Sequence, residues 1–223
     1  MEIIYIHHSS FAILDERCSL LFDYAGGGMP DFPKDRPLYV FASHVHADHY
    51  DPRIFELREY HPDVHFILSD DIPAVSSADV TMVKAHRRYC FDTCTVQTLR
   101  STDEGVAFII AIENHSIYHA GDLNWWDWGE EDTPLESQEM EEAYRRELEM
   151  IQGQHFDIAF VPVDPRLREA ATKGVCTFIE YADASHIFPM HFWEDYSIFE
   201  NLKSLPFYDR IVEIHRENED FHL

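Results

Sequence analysis

The chain is short of positive charge, of cysteine and of long apolar runs. Its 17 Lys+Arg stand against 42 Asp+Glu, a formal net charge of −25, which repels polyanions over most of the surface and argues against nucleic-acid binding. No run approaches the ~18 apolar residues a bilayer requires, so no membrane association is expected. The opening MEIIYIHHSSFAIL has neither a basic leader nor a continuous apolar stretch. It alternates like a strand, and the expected location is cytoplasmic. Cys18, Cys90, Cys94 and Cys176 are too few for a disulfide framework in a chain of 223 residues, and Cys90 with Cys94 is a weak metal clip. The one basic knot, Lys84-Ala85-His86-Arg87-Arg88, reads first as a solvated loop and second as an anion site.

Hydrophobic content of 45% and aromatic content of 14% are those of a globular protein, and one domain over residues 1–223 is expected. Short β-branched and aromatic runs predict strands at 3–7, 11–14, 20–24 and 38–42, then near 66–68, 80–83, 95–99, 106–112 and 116–119. The Gly- and Pro-rich segment 25–37 is a loop within the domain. Asp51-Pro52 opens a helix to about Tyr60, and Thr133-Pro134-Leu135-Glu136 has the form of a capping box. In the helix that follows, Met140, Tyr144, Leu148 and Ile151 recur at helical spacing and form a core-facing stripe. The remainder alternates strand 158–163, helix 172–182, strand 186–190, helix 197–202 and strand 210–215. Strands first and β/α alternation later imply sheets covered by helices.

The densest chemistry is His44-Val45-His46-Ala47-Asp48-His49, directly after the strand at 38–42. Residues two apart share a face, so His44 and His46 can address one ion, while Asp48 and His49, where the loop turns, address a second point. Imidazole with carboxylate suits Zn²⁺, Mn²⁺ or Fe²⁺, and the histidine majority favours zinc. Scattered surface histidines are the bland alternative in a chain with 15 of them, but three within six positions around an aspartate argue against it.

This H-x-H-x-D-H run resembles the signature of metallo-β-lactamase-fold metallohydrolases. His119-Ala120-Gly121-Asp122 resembles that family's H-x-G-D strand end, and Pro189-Met190-His191 its late P-x-H. His7-His8-Ser9-Ser10-Phe11 followed by Asp23 is similar to the opening of the lactonase-like branch, which includes ascorbate-6-phosphate lactonase. The resemblance implies an α+β, four-layer αββα sandwich, two mixed β-sheets flanked by helices, holding two divalent metal ions. It assigns His44 and His46 to the first metal, Asp48, His49 and His191 to the second, and Asp122 to a bridge. The third histidine usual for the first metal is missing. Asp103 is the favoured substitute, with His86, His115 or no protein ligand as alternatives, and a carboxylate there makes Mn²⁺ or Fe²⁺ more competitive with Zn²⁺.

Asp48 is also expected to orient the attacking hydroxide and take a proton. His119 reads as a packed or supporting residue, and His8 is expected to face the site from below. Tyr50, Trp126 and Trp193 are taken as substrate-pocket residues, although the Trp125/Trp126/Trp128 group reads equally as a satellite hydrophobic cluster. Arg166 and Arg168 follow a strand end, where an ion pair with Asp164 or Glu169 is favoured over an anion site. The implied activity is hydrolysis of a small-molecule ester, lactone or phosphoester. A mononuclear iron dioxygenase of the same fold and a non-catalytic metal- or partner-binding protein are the alternatives, and self-association is left open.

Overall fold

Two sheets of strands, with β3 and β4 buried along their whole length, build the centre of the molecule, described here over residues 1–223 by a computed structural model. The first set is β1 (Glu2–His7), β2 (Ser10–Leu14), β3 (Ser19–Phe22), β4 (Leu38–Ala42), β5 (Val64–Ser69) and β6 (Val80–Val83). Next come β7 (Arg88–Cys90), β8 (Thr95–Arg100), β9 (Val106–Ile112), β10 (His115–His119), β11 (His155–Pro162) and β12 (Asp183–Met190), and then β13 (Glu219–His222). The first set with β13 forms a mixed sheet in the order β13-β1-β2-β3-β4-β5-β6. The others form a second mixed sheet, β12-β11-β10-β9-β8-β7.

Phenylalanines fill the space between the sheets. Phe11 meets Phe160 across it with ring centroids 4.4 Å apart, and Phe41 meets Phe108 at 5.1 Å. Helices α1 (Leu57–Tyr60), α2 (Pro134–Glu149), α3 (Lys173–Tyr181) and α4 (Ile198–Leu202) complete the chain. A single 3-10 turn over Pro52–Glu56, capped by the Asp51 side chain, leads into α1, and the Thr133/Glu136 capping box is reciprocal. Tyr118, on the face of β10 opposite to His119, stacks on Phe178 of α3 at 5.0 Å, while Ile54 and Leu57 cover the outer face of the first sheet in a second cluster. The layers therefore run helix, sheet, sheet, helix, the expected αββα sandwich.

One expectation needs correction. Residues 210–215 do not form a strand: Ile211 makes one isolated bridge to Ile187, beside a 3-10 turn at Tyr208–Arg210. Ile211 and Ile214 are buried but lie three positions apart, off a strand's period of two; the chain is crossing from one sheet to the other, and the terminal ladder is made by β13 on β1. The basic knot is the exposed turn between β6 and β7 that was expected, with Arg88 at the start of the three-residue edge strand β7.

Parallel pairing aligns the ends of β3 with β4 and of β10, β11 and β12 with one another. The turns that follow these strands carry Asp23, His44 to His49, Asp122, Asp164 and His191, and the β1–β2 turn adds His8. Three of these residues sit at positive φ, His8 at 51°, Asp23 at 43° and His191 at 64°. Backbone held in that sparsely populated region marks places where a side chain is aimed by the surrounding fold.

Candidate metal centre

Two groups of donors meet at this end of the sandwich. His44, His46 and Asp122 form one, and His8, Asp48, His49 and His191 the other, with the donor atoms of each group within 4.8 Å of one another. Asp122 touches both: its Oδ2 is 3.6 Å from His44 Nε2, and its Oδ1 lies 3.1 Å from His49 Nε2 and 3.5 Å from His191 Nε2. Asp48 Oδ2 stands 3.4 Å from His8 Nε2 and 3.8 Å from His191 Nε2.

The outer nitrogens of His44, His49 and His191 are tied down. His49 Nδ1 pairs with Asp23 Oδ2 at 2.8 Å, His191 Nδ1 with Asp164 Oδ2 at 2.9 Å and His44 Nδ1 with Ser43 Oγ at 2.9 Å. Asp23 also accepts from the Ser43 amide and hydroxyl. Carboxylates behind ring nitrogens are the arrangement that fixes tautomer and orientation in metal sites. The inner atoms, by contrast, have no partner: Nε2 of His8, His44, His49 and His191 and Oδ1 of Asp122 are buried without a hydrogen bond. An orphaned buried polar atom costs about 1–3 kcal/mol. Five such atoms converging on one place, each offering a lone pair once any proton on it is displaced, are complementary to cations. The residues present therefore fit divalent metal.

Charge balance agrees. Burial alone would raise the Asp122 carboxyl, but His49, His191 and His44 outweigh it and hold the group far below the carboxylate range. Burial opposes charge on His49 too, yet Asp122 and Asp23 raise its pKa well above 6.5. His8 and His44 go the other way, pushed by burial down to about 4. They are neutral in the folded, metal-free protein where the unfolded chain binds protons, so they withdraw stability as pH falls from about 6.5 to about 4. His49 contributes in the opposite sense and only above that window. The denaturation midpoint of chelator-treated protein is expected to fall between pH 6.5 and 4.5, and to fall less in His8→Gln; equal falls in both would contradict this assignment.

A cavity of about 350 Å³ opens over the donors, lined by His46, Asp48, Thr102, Asp103, Asp122, Trp126, Trp128, Met140, Arg166, His191 and Trp193. Trp126 is buried with Nε1 donating to the Asp122 carbonyl, and Trp193 stands half-exposed at the rim. Asp103 is at the open edge, its Oδ2 3.7 Å from His46 Nδ1, outside the tight His44/His46/Asp122 group. Tyr50 is a correction: it packs with the outer cluster under the first sheet, because His49 turns inward to Asp23 and its neighbour must turn outward. His86 pairs with Glu147 and His115 approaches Asp15, so neither joins the donors. His119 is fully buried, stacked on Phe22 at 4.8 Å with Nε2 against the Ser9 carbonyl. Trp125 leaves the cavity to meet Arg145 and Lys173. All four cysteines are free thiols, Cys90 exposed and Cys94 buried.

The sequence model of a family described as "Beta-lactamase superfamily domain" matches residues 2–128, which hold six of the seven donors. The chain belongs to the beta-lactamase superfamily. No curated protein matches it. Its fold is similar to that of the isothiocyanate hydrolase from Delia radicum gut bacteria, at 14% identity and TM-score 0.61, covering 100% of this chain and 99% of that one. A metallo hydrolase of the archaeon Ignicoccus hospitalis matches at 15% identity and TM-score 0.59, covering 100% and 98%. A Parabacteroides distasonis protein, described as a metal-dependent hydrolase, matches at 18% identity and TM-score 0.62, covering 95% and 92%. At these identities the likeness concerns the superfamily fold.

Proposed function

We propose that this superfamily member is a metal-dependent hydrolase that binds two divalent ions and cleaves a small-molecule ester, lactone or phosphoester. The observation that carries the reading is the pair of adjacent donor groups, with unpartnered buried nitrogens, sharing Asp122 under one cavity. Bound divalent ions supply Lewis acidity, lowering the pKa of water toward ~7 and polarising the oxygen of an electrophile.

His44, His46 and Asp122 would hold one ion, with Asp103 as a further carboxylate at its open side. His8, Asp48, His49 and His191 would hold the other, with Asp122 between them. Imidazole donors favour zinc, and the carboxylates admit manganese or iron. Asp48 is kept ionised by its contact with His8 and by His49, against a burial effect that alone would neutralise it. It is partly exposed on the cavity wall, placed to accept a hydrogen bond from water and take its proton at a carboxylate oxygen. Trp126 and Trp193 would flank the bound molecule.

The test is a screen of lactones, phosphodiesters, thioesters and isothiocyanates with Zn²⁺, Mn²⁺ and Fe²⁺, in air and without oxygen. Isothiocyanates are included because a protein of similar fold is an isothiocyanate hydrolase. Oxygen-independent hydrolysis that chelation abolishes is expected. Turnover that requires O₂ would replace this reading with the dioxygenase.

A further inference from the structure

Arg166 is the one Lys or Arg on the cavity wall, in a protein with 17 Lys+Arg against 42 Asp+Glu. It follows β11 in the turn that begins with Asp164-Pro165, and its guanidinium is gripped from one side. Nε donates to Asp164 Oδ1 at 3.0 Å and to Oδ2 at 2.9 Å, and Nη2 donates to Oδ2 at 2.5 Å. Asp164 is fully buried and is anchored in turn by His191 Nδ1 and by Trp193 Nε1 at 3.2 Å. Aromatic faces hold the same group, Trp193 with its centroid 4.6 Å from Cζ and Trp128 at 5.6 Å.

This grip uses Nε and one Nη2 proton. A guanidinium has five N–H donors, so the end-on edge, both Nη1 protons and the second Nη2 proton, is left without a protein partner. The side chain is half-exposed at the cavity, beside two indoles that are themselves 37% and 42% exposed, Trp128 and Trp193. Core packing gives no reason for two tryptophans to remain that open. A rigid, planar fork flanked by aromatic faces matches an oxyanion attached to a flat apolar body: the fork takes two oxygens and the indoles take the body.

We propose that Arg166, Trp128 and Trp193 form an anion subsite, so that the molecule processed at the metal centre is a small, flat, largely apolar compound bearing a carboxylate or phosphate. The subsite stands on its own geometry; that its occupant is the substrate rests on the hydrolase reading. Asp164 links the two, since the same carboxylate orients His191 and Arg166, and an anion on Arg166 lies beside the metal donors.

Calorimetric titration with cinnamate and with its uncharged isostere cinnamamide tests the subsite without turnover. In metal-loaded protein cinnamate is expected to bind about tenfold more tightly than the amide. Arg166→Gln is expected to remove most of that preference, and Arg166→Lys, which keeps charge but loses the planar fork, to restore only part of it. The same titrations on chelator-treated protein isolate the subsite from the metals. A preference that survives Arg166→Gln would show that metal ions alone hold the anion and would overturn the proposal. An Arg166-dependent preference in metal-free protein that hydrolyses nothing would uphold the subsite while the hydrolase reading fails. Competition by methylphosphonate against acetate then tells a phosphate-bearing from a carboxylate-bearing occupant.

Discussion

Asp122→Asn is expected to lower kcat/KM on the order of 10³-fold, more than the 10–100-fold typical when a group behind a metal ligand is lost. The substitution preserves volume at a residue only 4% exposed, but it removes the one carboxylate in contact with His44, His49 and His191 together. Three imidazoles then face one another without the charge between them. His49, whose raised pKa rests on Asp122 and Asp23 against burial, would keep only the Asp23 support for its charged form. Metal content is expected to drop with activity while the far-ultraviolet circular dichroism is retained. A variant that keeps its full metal content and loses less than tenfold in kcat/KM would show that Asp122 bridges nothing.

Gly105→Ala is expected to destabilise the protein by about 2–4 kcal/mol, through a Cβ forced into occupied space and a left-handed backbone. At Gly105, φ is +70°, and an added Cβ would sit 2.0 Å from the Ser43 carbonyl oxygen and 2.7 Å from His44 Cβ. That carbonyl accepts the Val106 amide at 3.0 Å, tying the β8–β9 turn to the start of the metal loop. The new methyl must therefore push on the backbone that carries His44, and metal affinity is expected to fall with stability. Gly153→Ala is the matched comparison, because Gly153 has φ of +75° with nothing within 4 Å of its Cβ position. It is expected to cost about 1 kcal/mol. Equal losses in the two variants, read from urea midpoints, would remove the contact from the explanation.

The donors that were legible in the sequence are those written contiguously or at strand ends with a recognisable run: His44, His46, Asp48, His49, Asp122 and His191. His8 was visible only as a neighbour of the site. Its place among the donors depends on the register shift between Tyr5 and His7 in the β1–β2 pairing, an irregularity that re-aims one side chain and leaves no mark on hydrophobic alternation. Asp23 and Asp164 act through space, from the ends of β3 and β11, on histidines 26 and 27 residues away, and no local pattern predicts such pairs. Tyr50 misled because adjacency to a ligand says nothing about direction; beside His49 it belongs to the outer cluster. Residues 210–215 misled for a related reason: two buried isoleucines, Ile211 and Ile214, reach the core without a ladder. Arg166 shows two readings converging, since the expected ion pair with Asp164 formed and left its free edge facing the cavity.

The central claim is that seven side chains hold two divalent ions. Elemental analysis of gently purified, metal-replete protein tests it most directly, with about two ions per chain expected in the native protein and about one in His191→Ala. Native protein that binds no divalent ion under those conditions would contradict the account.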